Sequence, residues 1–117
     1  IIEACCNEKL KNLKIEWSDK KSLCIVICSN GYPDKYNNNI LIKNTKKINL
    51  SEDDFMYHSG TKKIESKVYS NGGRVVSFVS LSSSFKESRD KIFNLINSLN
   101  WTGGFFRKDI GHKVIDE

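Results

Sequence analysis

The sequence lacks the short motifs that mark several classes of enzyme. It has no GxxxxGK[ST] phosphate loop, no G-x-S-x-G nucleophile elbow and no HExxH zinc helix. Its acidic residues do not pair at metal-ligand spacing, and Asp53-Asp54 is more typical of a solvated turn than of a Mg²⁺ site. This chain alone is therefore not expected to carry a complete catalytic apparatus.

Long apolar runs and metal-binding cysteine patterns are also missing. No run approaches the roughly 20 residues of a membrane-spanning helix. Adjacent Cys5 and Cys6 lack zinc-ligand spacing, whereas Cys24 and Cys28 lie four apart in the apolar run LCIVIC. Residues four apart share a face of a strand, so both are expected to be packed, reduced thiols. Reduced structural cysteines predict a cytoplasmic protein without membrane contact.

The beginning of the sequence has neither an initiator Met nor a signal peptide. The segment IIEACCNEKL does not place a basic region before an apolar core. We therefore expect the chain to be a fragment of a longer protein.

Length and charge indicate one mildly basic globular domain. The chain has 117 residues, with 19 Lys plus Arg against 14 Asp plus Glu, a formal net charge of +5. The lysines are scattered, which favours a solvated surface over a nucleic-acid interface. A small basic nucleic-acid-binding module stays open as the alternative.

Alternation and apolar runs predict a mainly antiparallel sheet. Strands are predicted at residues 13–17, 23–28, 55–58, 67–69 and 74–81, a short strand or irregular connection at 40–42, and the end of a helix at 1–10. The Asn71-Gly72-Gly73 segment between the last two strands is a hairpin-turn signal.

One amphipathic helix is predicted over about residues 85–99. Ser84 followed by Glu87 fits a capping box. The apolar residues that follow repeat at helical spacing, namely Phe85, Ile92, Phe93, Ile96 and Leu99. Several strands and one long helix predict an α+β domain.

Two segments carry the side chains suited to anion binding. Residues 58–62 (HSGTK) and 71–74 (NGGR) each combine small residues, which expose backbone N–H groups, with a nearby cation. Arg74 has the planar guanidinium that binds phosphate or carboxylate with two hydrogen bonds. From the pattern alone, an ordinary hairpin with a surface arginine is the more common structure. His58 is more typical of a strand residue than of a catalytic base.

Four stretches together resemble one family. They are Gly31-Tyr32-Pro33, residues 58–62 (HSGTK), residues 71–75 (NGGRV) and residues 106–111 (FRKDIG). Their order and spacing resemble the C-terminal domain of phosphoribosylamine–glycine ligase, also called glycinamide ribonucleotide synthetase. The resemblance covers about residues 10–112. It implies a hybrid-type, barrel-sandwich-like β domain at 11–117, with residues 1–10 as the tail of a preceding ATP-grasp region.

The resemblance also implies an activity. The family joins glycine to 5-phosphoribosylamine at the expense of ATP, giving glycinamide ribonucleotide, ADP and phosphate in purine biosynthesis. ATP and Mg²⁺ (or Mn²⁺) would bind mostly in the ATP-grasp region. The C-terminal domain would pack on the N-terminal and ATP-grasp domains of the same chain and close the substrate site. A structural lid without substrate contacts is the alternative, and no nucleic acid is expected as a partner.

Matching the motifs places six residues at the substrate. Lys62 and Arg74 would hold the 5-phosphate of phosphoribosylamine or stabilise charge near the transferred group. Gly72 and Gly73 would let the backbone approach the ligand, and Thr61 and Asn71 would add neutral hydrogen-bond donors. No catalytic residue and no metal ligand is expected within the chain.

We predict that the chain does not bind single-stranded DNA. Scattered lysines provide no contiguous basic track along which a phosphate backbone would release its counterions. A single-stranded DNA column at low salt provides the measurement, with a known single-stranded-DNA-binding protein as positive control. Retention that decreases steeply with added salt would support the nucleic-acid alternative instead.

Overall fold

Over the residues that the structure describes, the chain folds into seven strands and one long helix, with short helices near both ends. A computed structural model describes residues 1–115. The strands are β1 (Lys21–Ser29), β2 (Leu41–Ile42), β3 (Asp54–His58), β4 (Thr61–Ile64), β5 (Lys67–Ser70), β6 (Arg74–Ser82) and β7 (Gly104–Phe105). The helices are α1 (Ile2–Cys6), α2 (Phe85–Leu99) and α3 (His112–Ile115), and 3₁₀ turns span Leu10–Asn12 and Thr45–Lys47. Across residues 1–115, no helix is both long enough and apolar enough to cross a membrane.

The strands form two antiparallel sheets. The four-stranded sheet has the order β3-β6-β1-β7, and the three-stranded sheet has the order β2-β5-β4. The α+β fold class with mainly antiparallel strands is therefore confirmed. Over the described residues the strands remain two open sheets and do not close into a barrel.

The core lies between the four-stranded sheet and α2. On this inner face Ile25 is opposite Phe78 and Ile27 is opposite Val76, and all four side chains are buried. Helix α2 covers them with its apolar stripe, which consists of Ile92, Leu95, Ile96 and Leu99. Each fully buried side chain of this size contributes roughly 1.5–3 kcal/mol relative to exposure, so this contact dominates the stability of the domain.

The predicted helix is confirmed from end to end. The Ser84 hydroxyl accepts a hydrogen bond from the Glu87 backbone N–H at 3.2 Å, as an N-cap does. The Glu87 carboxylate reaches one residue further back than a capping box requires and accepts from Ser83, at 2.8 Å from its hydroxyl. Asn100 ends the helix in a left-handed conformation with φ of 47°.

The strand predicted at residues 13–17 is wrong. This segment has no regular secondary structure, and it pairs with no strand of the described chain. Leu13 and Ile15 are exposed, and Trp17 is 85% exposed. Alternating residue types indicate a two-faced surface, and a strand also needs a neighbour to complete its ladder of hydrogen bonds.

The hairpin predicted at Asn71-Gly72-Gly73 is also wrong. β5 pairs with β4, whereas β6 pairs with β1 and β3, so the segment crosses from one sheet to the other. The tight turn lies instead at Glu65-Ser66, where Glu65 has φ of 52°. The pairs β3–β6 and β4–β5 thus form one long ribbon, which bends where residues 59–60 face 71–73. β4 itself was not predicted.

The cysteines of β1 are less buried than the sequence suggests. Cys24 and Cys28 share a face, as expected, but Cys24 is exposed and Cys28 is half-buried. That face is turned away from α2, because the buried positions of β1 are the alternating Ile25, Ile27 and Ser29. We call it the outer face of the four-stranded sheet.

We predict that Ser84→Ala lowers the free energy of unfolding by about 1 kcal/mol, because the first turn of α2 loses its cap. Urea denaturation measures the change. Ser98→Ala is the matched control, since among the described residues the Ser98 hydroxyl bonds only to the Asn94 carbonyl of its own helix, and alanine favours helix. A loss in Ser98→Ala as large as that in Ser84→Ala would contradict the capping interpretation.

Candidate functional site

A β-bulge determines where Arg74 points. Along β1 and β6, Ile27 pairs with Val76, and the next pair is Cys28 with Arg74. Val75 is therefore an extra residue, and beyond it the alternation of β6 reverses. Arg74 lies opposite Cys28 on the outer face, whereas regular alternation would have turned it toward the core.

Beside Arg74 a cavity of about 460 Å³ opens on the outer face. We call it the Arg74 cavity. Its lining consists of Val26, Tyr32, Ser59, Gly73, Arg74 and Ser77. One guanidinium and three hydroxyl-bearing residues give it the donors that an anion of the phosphate type requires. No ion pair involving Arg74 occurs among residues 1–115, so its charge is available to a ligand.

Three of the four motifs meet in this cavity. Tyr32 comes from the GYP segment, Ser59 from HSGTK, and Gly73 and Arg74 from NGGR. The ribbon bend brings the second and third together, since Ser59 N–H donates to the Val75 carbonyl at 3.0 Å. Segments far apart in sequence therefore converge on one side of the sheet.

Gly73 makes room for Tyr32. A Cβ at this buried position would overlap the Tyr32 ring, which lies directly on the Gly73 backbone. Ser29, buried in β1, fixes the same segment, because its N–H donates to the Gly73 carbonyl at 2.7 Å and its hydroxyl to the Gly72 carbonyl at 2.8 Å. Gly73 thus allows the Tyr32 ring to take its position in the lining of the cavity.

Gly60 and Gly72 allow the two backbones of the ribbon to approach closely at its bend. Gly60 N–H donates to the Arg74 carbonyl at 2.9 Å, and its own carbonyl accepts from Asn71 N–H at 2.7 Å. A Cβ on Gly60 would lie 2.6 Å from the Arg74 carbonyl oxygen and 2.9 Å from the Gly72 Cα. Only glycine fits at so close an approach of backbones.

Lys62 and its neighbours lie apart from the Arg74 cavity. Lys62 is half-buried in β4 opposite Tyr69, in the other sheet, and does not line the cavity. Thr61 Oγ1 is 3.0 Å from the Nδ1 atom of His58. Asn71 and Gly72 act through their backbones at the bend. Of the six residues proposed from the sequence, Arg74 and Gly73 line the cavity.

Ser59, Ser77, Tyr32 and Val26 were not among the predicted site residues. Tyr32 and Ser59 stand inside motifs of the family resemblance, so the sequence carried a signal for them. Ser77 and Val26 lie beside Arg74 only because of the bulge, which no local pattern announces.

An apolar cavity of about 370 Å³ adjoins the Arg74 cavity. Both share Val26 and Tyr32, and the second is completed by Cys24, Cys28, Pro33, Phe105, Phe106, Arg107 and Ile110. The fourth motif contributes to it, and there Arg107 pairs with Asp109, with Nε 3.0 Å from Oδ1. Burial raises the pKa of the Cys28 thiol, and the nearby Arg74 guanidinium offsets part of that rise.

Comparison with known proteins identifies relatives over most of the chain. The family profile described as phosphoribosylglycinamide synthetase, C domain, matches residues 22–113. A phosphoribosylamine–glycine ligase of Caldanaerobacter subterraneus is 40% identical over 94% of this chain and 26% of its own length. The chloroplastic phosphoribosylamine–glycine ligase of Arabidopsis thaliana is 31% identical over 98% of this chain and 22% of its own.

A solved structure has the same fold. The crystal structure of phosphoribosylamine–glycine ligase from Thermotoga maritima superposes with a TM-score of 0.72 at 23% identity, covering 94% of this chain and 27% of that one. At this identity the likeness concerns the fold. The chain spans about a quarter of the length of the proteins it matches.

We predict that Gly73→Ala lowers the free energy of unfolding by about 1–3 kcal/mol, because the added methyl displaces the Tyr32 ring. The same change in a Tyr32→Ala background should cost at least about 0.5 kcal/mol less, since the clash is gone. Urea denaturation of the four proteins completes this double-mutant cycle. An equal cost in both backgrounds would show that Tyr32 does not explain the glycine.

Proposed function

The chain belongs to the phosphoribosylglycinamide synthetase C-domain family, and from this premise we propose that it is the C-terminal domain of a longer phosphoribosylamine–glycine ligase. That enzyme joins glycine to 5-phosphoribosylamine with ATP, as a step of purine biosynthesis in the cytoplasm. Residues 11–117 form the domain in this proposal, and residues 1–10 end the preceding region.

The Arg74 cavity carries the proposal for this domain's role. It combines the Arg74 guanidinium, which has no ion pair within residues 1–115, with hydroxyl-bearing Tyr32, Ser59 and Ser77 on an open sheet face. A sugar phosphate presents the oxyanion that such donors bind. We assign the 5-phosphate of phosphoribosylamine to Arg74, with these residues as further contacts.

Lys62 has a separate place in the proposal. It lies in β4 of the other sheet, outside the Arg74 cavity. We therefore assign Lys62, with Thr61, Asn71 and Gly72, to another part of the bound substrate, where a cation stabilises charge near the transferred group.

ATP and Mg²⁺ belong to the remainder of the enzyme in this proposal. In the described residues 1–115 no three His, Cys, Asp or Glu side chains cluster as metal ligands. The acyl-phosphate of glycine would form in the ATP-grasp region. By itself the chain is expected to be inactive.

Packing on the other domains of the same chain is supported by exposed apolar residues. Phe55 and Tyr57 stack on the outer face with ring centroids 6.1 Å apart, and both are exposed. Segment 13–17 separately exposes Leu13, Ile15 and Trp17. Exposed apolar groups that lie together, as Phe55 and Tyr57 do, mark interaction surfaces.

We predict that Arg74→Ala in the full-length ligase raises KM for phosphoribosylamine by about tenfold or more, while KM for ATP changes much less. The loss of one charged contact to the phosphate is the cause. Steady-state kinetics with each substrate varied in turn measures both constants.

The matched control is Lys86→Ala. This exposed cation on α2 pairs with Asp90 at 3.0 Å and lies away from the outer face. It should leave both constants unchanged, and the 117-residue chain alone should show no ATPase or ligase activity. Unchanged kinetics in Arg74→Ala would contradict the phosphate contact and favour a lid that only shields the site.

A further inference from the structure

The Arg74 cavity and the apolar cavity form one groove. Both are lined by Val26 and Tyr32, so they are neighbours on the outer face. Cys28 of the apolar cavity pairs directly with Arg74 across β1 and β6. The guanidinium therefore stands where the polar half of the groove meets the apolar half.

The two halves differ in chemistry. The Arg74 half offers a cation and hydroxyl-bearing residues. The apolar half is walled by Phe105, Phe106, Pro33 and Ile110, and its Arg107 is already paired with Asp109. Its volume of about 370 Å³ falls within the range of roughly 300–1,000 Å³ found for ligand pockets.

The proposed substrate leaves the apolar half empty. Phosphoribosylamine consists of a phosphate, a polar sugar and an amine, and none of these groups gains from contact with Phe105 or Phe106. A ligand complementary to the entire groove joins a phosphate, through a sugar, to a flat ring system. Such a ring stacks on aromatic side chains, while its phosphate keeps the charged contact.

We propose that this groove binds a nucleoside 5′-monophosphate, with the phosphate at Arg74 and the base in the apolar cavity. The inference rests on the proposed function, because it uses the same phosphate contact. A bound nucleotide would exclude the sugar-phosphate substrate. The domain would then carry a competitive inhibitory site that overlaps its substrate site.

Titration calorimetry of the chain with adenosine 5′-monophosphate, ribose 5-phosphate and adenosine tests the proposal. The monophosphate should bind about tenfold or more tightly than ribose 5-phosphate, because stacking adds to the phosphate contact. Adenosine should bind more weakly than the monophosphate, since it lacks the group that Arg74 holds.

Two phenylalanines of the same sheet face make a matched pair of variants. Phe105 is 40% exposed and lines the apolar cavity, whereas Phe55 is 38% exposed and lines neither cavity. Phe105→Ala should reduce the affinity for the monophosphate toward that for ribose 5-phosphate and leave the latter unchanged. Phe55→Ala should change neither.

The outcomes separate this inference from the proposed function. If ribose 5-phosphate binds and the monophosphate binds no tighter, the base site is wrong and the phosphate contact stands. An equal effect of the two alanine variants would also overturn the base site. If neither phosphate binds, or if Arg74→Gln leaves both affinities unchanged, the phosphate contact fails, and the inference fails with it.

Discussion

The pairing of β1 with β6 is the interaction on which the other features depend. Its regular part sets Ile25 against Phe78 and gives α2 a surface to cover. Its irregular part, the bulge at Val75, reverses the alternation of β6 and places Arg74 on the opposite face. One ladder thus supplies a dry inner face for stability and an open outer face with a cation.

The glycines at the ribbon bend are the second constraint. Gly60 and Gly72 let two backbones approach closely, and Gly73 accepts the Tyr32 ring. From the sequence, Gly72 and Gly73 were expected to let the backbone approach a ligand. Their observed contacts are within the protein, so they shape the cavity whether or not they touch substrate. A short motif can therefore be a signature of a site for structural reasons.

Local signals predicted what local interactions determine. The cap at Ser84 and a helical apolar period fixed α2 in full, because both act within a few residues of one another. Strands depend on distant partners, so residues 13–17 had the right pattern but no neighbour, and the turn at Asn71-Gly72-Gly73 joined strands of different sheets. The cation of the site, Arg74, was predicted from composition and resemblance. That Ser77 lies beside it could not be predicted, because this depends on the register shift at the bulge. Lys62 and Arg74 are close in sequence, yet the bend assigns them to different sheets.

The bent ribbon holds the main chain of the residue that carries the guanidinium. The turn at Glu65-Ser66 ends the arm of the ribbon formed by β4 and β5, and the other arm is formed by β3 and β6. Gly60 joins the two arms, since it forms backbone hydrogen bonds to Arg74 on one arm and to Asn71 at the start of the other. The main chain at Arg74 is thus held from both sides, by Gly60 at the bend and by Cys28 in β1.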